Sequence, residues 1–180
     1  MSTPIENIFI QSAINRFKFY KELADKTFAQ LENKDFHFQP DSESNSLAII
    51  IQHMSGNMLS RWTNFLTEDG EKSWRSRDKE FETQAIPVHE LLEHWEKGWA
   101  CMLDVLERLT GPELLKTIYI RAEPLVVADA INRQLSHYPY HVGQIVYIGK
   151  LIKGNNWQGL SIDKGKSGDF NVRMASGPIN

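Results

Sequence analysis

Four long stretches of this chain carry apolar residues three and four positions apart, which is the spacing of one face of an α-helix. The first opens with "TPIE", where Thr3 can cap the helix, Pro4 suits its first position and Glu6 completes a capping box. Only "TIYIRAEP" alternates, which predicts one short extended segment. The predicted helices span about residues 3–33, 44–66, 87–109 and 125–153. Because each helix must bury an apolar stripe, the sequence predicts an all-α four-helix bundle.

The remaining segments are interpreted as connections. The stretch "TEDGEKSWRSRDKEFETQAI" (67–86) is polar and mixes both signs of charge, so it is not a basic patch. Gly154 is expected to stop the last helix, and the segment after it is rich in Gly, Ser and Asn. This tail is expected to lie irregularly on the surface. A length of 180 residues without an internal repeat predicts a single domain over residues 1–180.

Charge and composition exclude several classes of partner. The net charge of −3 gives no reason to expect nucleic acid or an anionic membrane. The first residues lack the basic and apolar regions of a signal peptide, and no apolar run approaches the length of a membrane span. Cys101 is the single cysteine, so an intrachain disulfide is impossible, which fits a reducing compartment. We therefore expect a cytoplasmic location.

The last predicted helix carries two histidines on an apolar face. In "LSHYPYHVGQIVYIGKLI" (135–152), His137 and His141 lie about 40° apart around the helix axis. Both rings can therefore reach one point, as metal–nitrogen bonds of roughly 2.0–2.1 Å require. Pro139 lies on the opposite side and bends the helix away from itself, which suits a site and plain wrapping of the core equally well. The pair alone does not establish a metal site.

A third ligand is needed, and His53 is the best candidate. His37 follows Phe36 in a predicted loop, and His89 and His94 lie on a charged helix five residues apart, so these three are interpreted as surface residues. His53 lies in the middle of the apolar second helix, with the small Gly56 three residues later leaving room beside it. A lone histidine there would be a core residue. With two more imidazoles pointing into the same core, a three-histidine site becomes the better hypothesis.

Polar residues near these histidines allow two readings. Arg133 and Gln144 flank the pair, and Arg61 follows His53 by two turns. Each can form a salt bridge or a core hydrogen bond, or instead anchor a substrate or support a metal ligand. Both readings stay open for all three residues. Cys101 is interpreted as a small buried apolar residue rather than a nucleophile.

Several segments together carry a family resemblance. The stretches "IQHMSGNMLSRWTNFL", "RDKEF", "INRQLSHYPYHVGQIVYIGKLI" and "WQGLSIDKGKS" resemble the DinB/YfiT-like superfamily of proposed metalloenzymes, in a branch of unknown function. The likeness covers nearly the whole chain. The superfamily pattern has one histidine on the second helix and HxxxH on the last, which His53, His137 and His141 match. The resemblance implies an up-down-down-up bundle, a divalent metal such as zinc or nickel, and frequent dimers. Some relatives are transferases or isomerases that use a low-molecular-weight thiol.

Three functions follow from such a site. Three neutral imidazoles leave a divalent metal with an open position, where water would reach a pKa of roughly 7 and a thiol would lose its proton. The stripe around the histidines offers no Asp or Glu as a base, although one from another helix could enter. Thiol transfer to a small electrophilic substrate is therefore favoured over metal-dependent hydrolysis. The third alternative is a non-catalytic, metal-containing stress or interaction protein.

The far side of the second helix predicts a covering element. Ile51, Met58 and Trp62 lie roughly opposite His53, and an apolar face there must be covered. The cover is either a second subunit or the tail, which carries apolar residues such as Trp157. The family resemblance favours a two-fold homodimer.

Overall fold

The structure is a computed structural model that describes residues 4–162 and 164–176, and it is mostly helical. Four long helices and a hairpin account for most of it. The elements are α1 (Ile5–Phe28), α2 (Leu47–Trp62), α3 (Val88–Arg108), β1 (Thr117–Ile120), β2 (Glu123–Val126), α4 (Val127–Lys153) and α5 (Ser167–Ala175). The two strands pair antiparallel, so the predicted extended segment is confirmed as a hairpin that joins α3 to α4. The all-α prediction missed this small sheet.

Two helices end earlier than predicted, each for a local reason. The first ends at Phe28 and not near Asn33, because Glu32 donates its backbone N–H to Asp35 (2.8 Å) and starts a separate 3-10 turn. The second ends at Trp62 because Thr63 is extended and Asn64 adopts a φ of +49°, a conformation that Asn tolerates well. Its start is as expected.

The remaining helix ends are also set by residues next to them in the sequence. Ser46 caps α2 by accepting a hydrogen bond from the N–H of Ile49 (3.2 Å). Pro4 occupies the cap position of α1 itself, and Thr3 lies outside the described residues. Gly154 closes α4 with a φ of +51°, as its position in the sequence indicated.

The tail is partly helical, contrary to the expectation of an irregular segment. Its last described part forms α5, with Asp169 in the first turn and Arg173 in the last, where each charge suits the helix dipole. Before α5, Trp157 packs against Gly149 of α4, and the N–H of Gln158 donates to the side chain of Gln30 (2.9 Å). The tail therefore covers the side of α4 that faces α1.

All four long helices meet around one buried tyrosine. The ring of Tyr138 on α4 lies 5.9 Å from those of Phe17 on α1 and Trp99 on α3, measured between centroids. Its hydroxyl accepts a hydrogen bond from Trp62 on α2 (3.1 Å) and donates one to Asn57 (3.0 Å). Burial of these aromatic rings is a major source of stability, and it also fixes the rotation of α4 about its axis. The position of the histidines next to Tyr138 is set by this packing.

The far face of α2 is covered within the chain itself. Ile51, Met58 and Trp62 are buried. Met58 packs against Gly98 of α3, where a glycine allows the two helices to approach closely, and Trp62 reaches Tyr138 of α4. The expectation that a second subunit or the tail must cover this face is wrong, because α3 and α4 cover it. The homodimer stays a prediction that no longer rests on this face.

The connection between α2 and α3 is tied down at its first part. Arg61 donates to the carbonyl of Gly70 and to the carboxylate of Glu71 (3.0 Å). Asp69 accepts hydrogen bonds from the backbone N–H groups of residues 121–122 (2.9 and 2.7 Å), which form the left-handed turn of the hairpin. These contacts lead the chain back along α2 towards the histidines.

Within residues 4–162 and 164–176, no helix has the length and apolarity needed to cross a bilayer.

Candidate metal centre

The three predicted histidines come together between α2 and α4. The Nε2 atom of His137 lies 3.4 Å from that of His53 and 3.1 Å from that of His141, and the three ligand atoms lie within 4.8 Å of one another. Two nitrogens that bind one ion tetrahedrally at roughly 2.0–2.1 Å are themselves about 3.3 Å apart. The three rings are therefore close enough to hold one metal ion.

Each ring has an oxygen acceptor on its other nitrogen. The pairs are His53 Nδ1 with Glu80 Oε2 (3.0 Å), His137 Nδ1 with Gln134 Oε1 (3.3 Å) and His141 Nδ1 with Gln144 Oε1 (3.0 Å). Because each Nδ1–H donates to its oxygen, the neutral ring carries its lone pair on Nε2. Three lone pairs then face one point, and none of the three Nε2 atoms has a hydrogen to offer the others. This donor set fits a cation and is unfavourable without one.

Burial favours the neutral form of the two imidazoles on α4. It lowers the pKa of His137 to about 3, with further lowering by its two histidine neighbours and by Arg61 and Arg75. It also lowers the pKa of His141, against a hydrogen bond to Gln144 that acts in the opposite direction. At neutral pH His137 and His141 therefore do not carry a second proton. Neutral imidazole is the form that binds a metal ion.

A carboxylate that sequence reasoning missed supports His53. Glu80 belongs to the short 3-10 turn Asp78–Phe81 in the connection and reaches the histidine from outside both helices. Arg75 binds it in a bidentate manner, with Nε donating to Oε1 (2.7 Å) and Nη2 to Oε2 (2.8 Å). Burial would raise the pKa of Glu80, but the hydrogen bonds from Arg75 and His53 outweigh it and lower the pKa. The carboxylate is therefore ionised at neutral pH.

The three flanking polar residues have different surroundings. Gln144 hydrogen-bonds to His141 and so supports a candidate ligand. Arg61 points to Gly70 and Glu71 and anchors the connection. Arg133 is exposed and lies 3.9 Å from a carboxylate oxygen of Glu123. A substrate-binding role for any of them stays a prediction.

An aromatic ring covers one side of the site, and the three histidines differ in exposure. The ring of Phe81 lies 4.6 Å from that of His53, between centroids, and helps to bury it. His53 and His141 are buried, whereas His137 is half-buried and lies on the accessible side. Beside Gln144, a groove of about 610 Å³ runs along α4 between residues such as Tyr140, Tyr147 and Phe38.

The other three histidines and the single cysteine do not belong to this cluster. His89 and His94 are exposed, as predicted, while His37 is half-buried in a 3-10 turn and not in a loop. Cys101 is half-buried, with its sulfur 3.8 Å from the hydroxyl of Thr63. In the described residues, only His53, His137 and His141 form a group that can hold a metal ion.

The fold and the site define a mostly helical protein with a three-histidine cluster capable of binding a metal ion. The chain belongs to the family described as "Protein of unknown function (DUF1572)", which matches residues 5–166. The matched range includes the three histidines as well as Glu80. No curated protein matches the chain.

Proposed function

We propose that this protein is a metal-dependent enzyme of the DinB/YfiT-like type that transfers a low-molecular-weight thiol to a small electrophilic substrate. His53, His137 and His141 would hold one divalent cation, for which zinc and nickel suit imidazole ligands. The main support for the proposal is that the Nε2 lone pairs of the three histidines point to one place. Each ring is held there by a hydrogen bond from its Nδ1 to a side-chain oxygen. An up-down-down-up helix order and a homodimer belong to the same proposal, through the resemblance to the superfamily.

The residues of the site favour an anionic ligand for the open position. Three neutral imidazoles leave the full double charge of the cation uncompensated except by the nearby Glu80. When bound, such a cation lowers the pKa of a coordinated thiol or water. The role of the protein is to hold the three rings, exclude water from His53 and His141, and leave access beside His137.

The position of Glu80 bears on the choice between thiol transfer and hydrolysis. It lies on the Nδ1 side of His53, behind the ring, and both of its oxygens accept hydrogen bonds. Its lowered pKa also makes it a weak base. Hydrolysis would need a base for water, whereas a thiol that binds a divalent cation is deprotonated without one. In the transfer, the sulfur bonds to the electrophilic carbon and the leaving group departs with the electron pair of its broken bond.

Access beside His137 suggests how a substrate is bound. Arg133 precedes His137 by one helical turn, so both side chains lie on the same face of α4. Its exposed guanidinium is suited to an anionic group of a substrate or thiol. The groove beside Gln144 is suited to an apolar part of the same molecule.

A non-catalytic metal protein is the second candidate, and the burial of His53 and His141 favours it. Cobalt can replace zinc as a spectroscopic probe to separate the two. If the site accepts substrates, adding a small thiol to the cobalt-loaded protein should produce a sulfur-to-cobalt charge-transfer band. A spectrum that no thiol changes would favour a sealed, non-catalytic site.

The test of the enzyme proposal is turnover with a panel of thiols and electrophiles, such as an activated aryl halide and an epoxide. We expect turnover with the zinc- or nickel-loaded protein, loss of turnover on chelation, and recovery on reloading. His94→Ala, which changes an exposed histidine, is the matched control for His137→Ala. Turnover that survives complete chelation would rule out the proposal. Hydrolysis of an ester without any thiol would favour the hydrolase instead.

A further inference from the structure

We propose that Arg75 and Gly56 are positioning residues that fix the metal-binding ring of His53 through the carboxylate of Glu80. The inference rests on the proposed metal site and adds the residues that set its affinity. Neither residue contacts the ligand atoms of the three histidines. Both act on the single acceptor that holds Nδ1 of His53.

The hydrogen bonds of Glu80 are buried and charge-assisted. The side chains of Arg75, His53 and Glu80 are only 2%, 6% and 11% exposed. Arg75 uses two nitrogens on this carboxylate, while its remaining terminal nitrogen lacks a hydrogen-bond partner among the described residues and lies 4.0 Å from Glu71. The guanidinium is therefore placed mainly by Glu80, and Glu80 by it. A fork of two parallel hydrogen bonds fixes the direction as well as the position of the carboxylate.

Gly56 provides the space that this carboxylate occupies. A Cβ atom at position 56 would lie 2.9 Å from Cδ of Glu80 and closer still to Oε1. Glycine is unfavourable in the middle of a helix, so its presence three residues after His53 calls for a reason. The reason is the approach of the carboxylate to the backbone of α2. The clashing atoms are the far end of a flexible side chain, so alanine would displace the carboxylate rather than disrupt the helix.

Displacing the carboxylate should weaken metal binding without unfolding the protein. A ligating imidazole that loses its acceptor on Nδ1 loses both its orientation and part of its basicity at Nε2. Changes to such supporting residues typically reduce metal affinity by about 10- to 100-fold. Gly56→Ala should show this loss although alanine is the better helix former.

Two variants serve as matched controls. Gly143→Ala also adds a methyl group to a helical glycine, but its Cβ meets nothing within 4 Å among the described atoms. Arg121→Met removes an arginine that pairs with Glu71 and does not contact Glu80. Neither control should change the affinity for zinc.

The experiment measures the zinc dissociation constant of the full chain at fixed pH, by competition with a chromophoric chelator. We expect Gly56→Ala and Arg75→Met to bind zinc about 10- to 100-fold more weakly than the unchanged protein. In a Glu80→Ala background, Gly56→Ala should have no further effect, because the acceptor is already gone. Circular dichroism of the metal-free Gly56→Ala variant should show unchanged helix content.

The possible failures are distinguishable. If the unchanged protein binds no zinc, the proposed metal site fails. If it binds zinc but Gly56→Ala binds as tightly as Gly143→Ala, the positioning role is overturned. An equal loss from Gly56→Ala with and without Glu80 would also overturn it, because the effect would not pass through the carboxylate. Should Glu80→Ala fail to fold, the comparison of Gly56→Ala with Gly143→Ala still decides the question.

Discussion

The two sides of the candidate metal centre are assembled in different ways. The α4 side consists of Gln134, His137, His141 and Gln144, and the α2 side consists of His53, Gly56, Arg75 and Glu80. On the α4 side, each acceptor lies three residues from the histidine it holds, on the same helix. On the α2 side, the acceptor lies 27 residues away and arrives through the connection. The α4 side therefore forms whenever α4 folds, whereas the α2 side also needs the connection to dock.

The largest expected effect is the loss of the ion when a ligand is removed. The Nε2 atom of His137 lies within 3.4 Å of the Nε2 atoms of both other histidines. We expect His137→Ala to abolish stoichiometric zinc, measured by elemental analysis after purification. His94→Ala should retain the zinc content of the unchanged protein. If a variant with alanine at positions 53, 137 and 141 still carried one ion, the site would be wrongly placed.

The second expected effect is on the acid stability of the metal-free protein. Burial lowers the pKa of His137 to about 3, from 6.5. Below pH 6.5 the unfolded chain therefore binds a proton that the folded protein does not, so stability falls as the pH drops towards 3. The equilibrium constant for unfolding should rise by at most about tenfold per pH unit from this group. Above pH 7 the group makes no difference.

Urea titrations between pH 7 and pH 4 measure this effect. We expect the dependence of unfolding free energy on pH to be shallower in His137→Ala than in the unchanged protein, and unchanged in His94→Ala. An equally steep dependence in His137→Ala would contradict the lowered pKa of His137. The comparison with His94→Ala shows whether the change is specific to the histidine cluster.

The smallest expected effect contrasts the acceptors of the two sides. Glu80 is a charged acceptor and Gln144 a neutral one, and charge-assisted hydrogen bonds are roughly twice as strong. We expect Glu80→Ala, which removes the charged acceptor, to weaken zinc binding by about 10- to 100-fold. Gln144→Ala should weaken it by only about 2- to 10-fold, the value of a neutral hydrogen bond. Zinc affinity is measured by competition with a chelator. Equal losses of affinity in the two variants would show that the charged and the neutral acceptor contribute equally.

The difference between the sides also explains what could be predicted from the sequence. Helical spacing placed His137 and His141 on one face of α4, and Gln134 lies on the same stripe, so it could have been found. The choice of His53 depended on its apolar surroundings. Glu80 had neither helical spacing nor apolar neighbours to mark it. It lies in a polar connection, and the sequence of such a segment does not show which helix it packs against.

The helical fold shows the same division between local and distant information. The four helices and the first strand follow from periodicity, whereas the second strand does not, and the early ends of α1 and α2 follow from local turns at Glu32 and Asn64. The cover over Met58 and Trp62 was misjudged, because it depends on which helices pack against α2. That choice is made by tertiary packing around Tyr138, which helical spacing does not encode.

The most direct test is an anomalous diffraction measurement on crystals of the zinc-loaded protein, at wavelengths on either side of the zinc absorption edge. We expect one anomalous peak per chain, at roughly 2.0–2.1 Å from the Nε2 atoms of His53, His137 and His141. The Nδ1 atoms should keep their contacts with Glu80, Gln134 and Gln144. A zinc-loaded crystal with no peak between these rings, or with its peak at other residues, would contradict the central claim.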